Sequence, residues 1–173
     1  KDLRIELATL DVCQAESVAP TLHDLFDRLG GIDTIVVNAG ANDVTHVGSG
    51  DLDKELNLIQ TNLAGAIATI NSATEHFLKR GQGHIVSISS LASLQPIAGQ
   101  AAYCASKAGV RMMARCWALD LAPFGITVNS IGPGVIDTPL GSPLLGEGDN
   151  RALNERTIPA GRAGLPMDIG NIA

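Results

Sequence analysis

The stretch IDTIVVNAG, residues 32–40, decides how the chain is read. Its centre is an unbroken apolar, β-branched run, which suits a strand buried on both faces of a sheet. It ends in Asn38-Ala39-Gly40, a turn sequence that stops the strand. Helical spacing flanks it on both sides. SVAPTLHDLFDRLG (17–30) places Val18, Leu22, Leu25, Phe26 and Leu29 on one face, and residues 51–79 carry Leu52, Leu56, Ile59, Leu63, Ile67, Ile70 and Phe77 in one long helical pattern.

The same alternation continues outward. LRIELATLDV (3–12), GHIVSISSLAS (83–93) and GITVNSIGPG (125–134) have strand character, and QAAYCASKAGVRMMARCWALDLAP (100–123) is a second long helix. Strands separated by helices imply right-handed βαβ units and a parallel sheet covered on both faces. After Gly134 the chain is rich in Gly and Pro, with one short helical piece expected around 149–156, the pattern of a lid or binding loop. No internal repeat or interdomain linker interrupts residues 1–173, so a single domain is expected.

Composition narrows the functional classes. With 12 Lys+Arg against 18 Asp+Glu, the net charge of -6 favours neither a nucleic acid nor an anionic membrane as partner. Cys13, Cys104 and Cys116 are odd in number and far apart, which argues against a disulfide framework or a structural zinc site. His23, His46, His76 and His84 show no paired spacing, so no metal site is expected. No apolar run of 18 residues occurs and KDLRIELATLDV has none of a signal peptide's divisions, so a soluble, cytoplasmic protein is expected.

In open parallel sheets, ligands settle beyond the carboxyl ends of the strands. Three distinctive groups fall there: Asn38-Ala39-Gly40, Ser89-Ser90 and Gly132-Pro133-Gly134. Tyr103 and Lys107, at i and i+4, share one helical face. A phenol is a poor base at neutral pH unless a nearby cation favours the phenolate. Ser90 can donate a hydrogen bond to a substrate oxygen whose charge changes. Each group alone has a plain structural reading, as a core tyrosine, a solvated lysine or a turn; their joint placement in chain order points to chemistry.

Taken together, these residues resemble the short-chain dehydrogenase/reductase family. The resemblance rests on Asp11-Val12, Asn38-Ala39-Gly40, Asn62, Ser90 thirteen positions before Tyr103, Tyr103-x-x-x-Lys107, and Pro133-Gly134 followed by Thr138. It implies a Rossmann-like, doubly wound α/β fold and an NAD- or NADP-dependent hydride transfer between an alcohol and a ketone. Tyr103 is then the proton donor and acceptor, Lys107 lowers its pKa and holds the nicotinamide ribose, Ser90 polarises the substrate oxygen, and Asn62 supports a proton relay. Asp11 and Val12 border the adenine, Asn38, Ala39 and Gly40 pass near the adenosine ribose, and Pro133, Gly134, Val135, Ile136 and Thr138 contact the nicotinamide and phosphate. Residues 134–166 become the substrate-loop region. The long helices, with Met112, Met113 and Trp117, suggest a homotetramer or dimer, and Cys104 reads as apolar filler.

Two rival readings share parts of this pattern: a sugar-nucleotide epimerase or dehydratase, and a non-catalytic dinucleotide-binding protein. Asn38-Ala39-Gly40 and Pro133-Gly134 favour the first reading over the epimerase, and retention of both Tyr103 and Lys107 over the non-catalytic protein. The family's opening glycine-rich phosphate turn does not occur before Asp11, and no strand follows GLPMDIGNIA. In the strand order 3-2-1-4-5-6, residues 3–12 and 32–37 are the third and fourth strands, with two central strands missing between them. The first two strands and the last are therefore expected to lie outside this sequence, with a βαβ unit of at least ~30 residues on the amino-terminal side.

Overall fold

The structure is a computed structural model that describes residues 4–173. Three parallel strands form the sheet in the order β1-β2-β3: β1 is Thr34–Val37, β2 is Gly83–Ile88 and β3 is Ile126–Ile131. Ile35 pairs with Ile85 and Ile85 with Val128, so the apolar strand residues sit in register on one face.

Helix α1 (Ala15–Leu29) buries Val18, Leu22 and Phe26 at four-residue spacing. It stops at Gly30, whose φ of 78° lets its N–H and that of Gly31 turn back to the carbonyls of Asp27 and Phe26. Helices α2 (Leu52–Ile59) and α3 (Gly65–Arg80) are joined by one π-helical turn, Gln60–Ala64. After β2, a 3₁₀ turn (Leu91–Ser93) leads toward α4 (Ala101–Leu121). Three short helices close the chain: α5 (Ser142–Leu145), α6 (Gly148–Glu155) and α7 (Pro166–Gly170).

One apolar cluster joins α1, α3 and α4 to Val37, Ile85, Ile126 and Val128 of the strands, and Trp117 packs at its margin. Helices α1, α3 and α4 thus gather on a single face. Successive strands are added in one direction, and right-handed crossovers in one direction deposit the helices between them on the same side. The opposite face of β1 is open, with Val36 45% exposed, so IDTIVVNAG is covered on one side only among the described residues.

The segment expected as a strand at 3–12 is irregular over residues 4–11, and Leu3 lies outside the described residues. A strand is defined by its ladder, and no described strand lies beside this segment; Ile5 and Leu7 are exposed. The long helix expected at 51–79 carries a π turn, and the tail holds α5 and α7 besides the short helix foreseen near 149–156.

Candidate active site

The carboxyl ends of the three strands open into one cavity of about 480 Å³. Asn38 and Gly40 enter it from the end of β1, Ser89 and Ser90 from β2, and Pro133, Gly134, Val135, Ile136 and Thr138 from the segment after β3. Tyr103 and Lys107 reach it from α4. Leu140 and Leu144 on one side, and Pro166 and Ile169 of α7, complete an apolar wall.

Lys107 is the most constrained group. Only 6% of it is exposed, and Nζ donates to the Ile88 carbonyl oxygen at 3.0 Å. Burial pushes its amine below the usual lysine value of 10.5. Nζ stands 6.0 Å from the centroid of the Tyr103 ring, at the outer limit of cation–π contact. The Ser89 hydroxyl donates to the Lys107 carbonyl at 2.8 Å, so strand end and helix are tied at the same level.

Asn62 is 1% exposed and lies behind the cavity, on the π turn. Its Nδ2 donates to the Ala41 carbonyl (2.9 Å) and to Ser106 Oγ (3.1 Å), while Oδ1 accepts from the Ala41 N–H (2.7 Å). Ser106 Oγ in turn donates to the Tyr103 carbonyl at 2.7 Å. This chain of bonds fixes the turn after β1 against residues 103–106 of α4. Gly40 suits that close docking: a Cβ there would stand 3.2 Å from Lys107 Nζ and 3.3 Å from Asn62 Oδ1.

Ser90 has extended backbone and caps the 3₁₀ turn, its Oγ accepting from the Ala92 N–H at 3.1 Å. A hydroxyl that accepts this bond keeps its own proton free to donate. Asp11 and Val12 are not among the cavity residues: Asp11 Oδ1 accepts from the Cys13 N–H, and Val12 packs where a Cβ on Gly65 would stand 2.7 Å away. Ala39 also lies off the cavity wall. Sequence reasoning missed Ser106, Gln100 and the α5 and α7 wall. Gln100, the N-cap of α4, and Ser106 lie three residues before and after Tyr103, which is the signal that could have found them.

The donor set fits the nicotinamide-ribose end of a dinucleotide. Lys107 spends one of three N–H donors on Ile88, leaving two that can meet ribose hydroxyls, and the glycine at 40 keeps backbone open beside it.

A family model described as short chain dehydrogenase matches residues 1–147. An uncharacterized oxidoreductase of Mycobacterium tuberculosis is 40% identical over 138 residues, covering 79% of this chain and 54% of that protein. 3beta-Hydroxysteroid dehydrogenase 1 of Eggerthella lenta is 35% identical over 164 residues, 94% of this chain and 63% of its own length. Among solved structures, a gluconate 5-dehydrogenase from Burkholderia cenocepacia in complex with NADP and tartrate superposes with a TM-score of 0.85 at 29% identity, over 90% of this chain and 61% of that one. The chain spans 54% to 63% of the length of these curated relatives.

Proposed function

The chain belongs to the short-chain dehydrogenase family, and on that premise we propose that it serves an NAD- or NADP-dependent oxidoreductase acting between an alcohol and its carbonyl compound. The observation that carries this reading is the meeting of Tyr103, Lys107 and Ser90 on one cavity, with Lys107 fixed by the end of β2. When bound, the nicotinamide supplies the carbon that accepts or donates hydride.

The protein's own part is binding, orientation and proton handling. Ser90 donates its free hydroxyl proton to the substrate oxygen, and Tyr103 exchanges a proton with that oxygen as its charge changes. Lys107 holds the ribose beside Tyr103. Asn62 positions Tyr103 through Ser106, and the turn after β1 through Ala41. Residues 134–144, with Pro166 and Ile169 of α7, supply the wall on the substrate side. Among the described residues no helix is long and apolar enough to cross a membrane. Exposed Leu52, Leu56, Met112 and Leu119 on α2 and α4 support self-association as a dimer or tetramer, and a cytoplasmic location accompanies this reading.

A panel of alcohols and ketones, followed by reduced-nicotinamide absorbance with NAD and with NADP, tests the proposal. Cofactor-dependent turnover of at least one member is expected; absence of turnover across steroid, sugar, acyl-thioester and simple ketone classes contradicts it.

A further inference from the structure

Gln100 is 2% exposed, lines the cavity, and its Oε1 has no hydrogen-bond partner among the described residues. An amide oxygen left so in a folded interior costs stability, and natural proteins keep few of them. The backbone of Gln100 is by contrast fully engaged. Its N–H donates to the Ile97 carbonyl, its own carbonyl accepts from the Cys104 N–H, and the residue bridges to Thr45 in a short parallel pairing. The residue is held rigidly while its side-chain oxygen goes unused.

Its position at the N-cap of α4 gives that oxygen a target. Tyr103 and Lys107 follow Gln100 three and seven residues later, and all three line the cavity. Lys107 stands about one turn beyond the tyrosine, and Gln100 precedes it at the entry to the helix. A second amide joins it: Asn42 also lines the cavity, and its Oδ1 is likewise buried and unpartnered among the described residues. Leu91, Ile97 and Leu144 add apolar wall, and Ser90 and Gln95 further polar groups.

We propose that Gln100, with Asn42, is the specificity-determining pair of this site and selects substrates carrying a second hydroxyl one or two carbons from the reacting carbon. A hydroxyl both donates and accepts, so it satisfies a carboxamide whichever end is presented. Leu91, Ile97 and Leu144 cannot do so. A site built to hydrogen-bond a substrate hydroxyl rejects the analogue lacking it, because its own buried polar group is then left unpaired. The inference rests on the oxidoreductase reading and names the substrate class within it.

The test compares cyclohexanol with cyclohexane-1,2-diol and cyclohexane-1,3-diol, as oxidation substrates and as ligands by saturation-transfer NMR with the nucleotide present. The better diol is expected to exceed cyclohexanol in kcat/KM by roughly tenfold, the worth of one neutral hydrogen bond. In Gln100→Met, close in length but without the amide, that ratio should fall to near one. Asn42→Leu provides a second variant if Gln100→Met does not fold, and the wild-type ratio is decisive without either. Equal kcat/KM for the diols and cyclohexanol in the wild type overturns the inference while leaving the oxidoreductase reading intact. An unchanged ratio in both variants also overturns it, since an equal loss on both compounds means the amides serve only the fold, as by pairing with Thr45. A diol preference in the NMR experiment without turnover of any compound supports the pair's selectivity and counts against hydride transfer.

Discussion

Lys107 Nζ is bonded to the carbonyl oxygen of Ile88 at 3.0 Å, which locks the amine of helix α4 to the last residue of strand β2. Burial depresses the amine below 10.5, so between that depressed value and 10.5 the folded chain binds fewer protons than the unfolded one. Stability therefore rises with pH through that interval; the full cost of burying the charge is carried below it. Denaturant midpoints of the wild type should climb relative to those of Lys107→Met as the pH approaches 10.5. Parallel curves for the two proteins would show that the site does not desolvate this lysine.

Gly40→Ala tests the docking of the first strand end on the lysine. The new methyl must displace Lys107 Nζ or Asn62 Oδ1, which would stand 3.2 and 3.3 Å from it. Misplacing a group that orients the reaction costs turnover on the order of tenfold or more. The global effect is small, within about 1 kcal/mol, because alanine also restricts the unfolded chain. Steady-state kinetics alongside a melting curve separates the two; a variant with parental kcat contradicts the geometry.

Much of this arrangement could be read in advance, and the residues that escaped did so for physical reasons. Residues 34–37, 83–88 and 126–131 carry their strand signal in consecutive β-branched side chains, and the helical spacing of Val18, Leu22 and Phe26 needs no tertiary context. Residues 3–12 carry similar signal, yet no described strand pairs with residues 4–11. The π turn that seats Asn62 has no local signature, since it depends on the bonds Asn62 makes to Ala41 and Ser106, far off in sequence. In the tail, α5 and α7 are four and five residues long, too short for a period to show.

Asp168→Asn tests whether the wall from α7 shapes binding. Asp168 accepts from Arg162 at 2.8 and 3.3 Å and from the Leu165 N–H at 2.7 Å, which holds its carboxyl at about 2. The clasp is therefore present above the ordinary value of 3.8 and lost only as the pH falls through about 2. Pro166 and Ile169, which it positions, line the cavity. The variant should raise KM by a larger factor than it lowers kcat. A fall in kcat at constant KM would mean that α7 serves the chemical step instead.

The most direct measurement is turnover of Tyr103→Phe, which removes the phenolic proton and keeps the ring. If Tyr103 is the general acid and base, kcat falls on the order of 10² to 10⁴. Binding of the nicotinamide dinucleotide, followed by quenching of Trp117 fluorescence, is retained. Parental turnover by this variant would contradict the account.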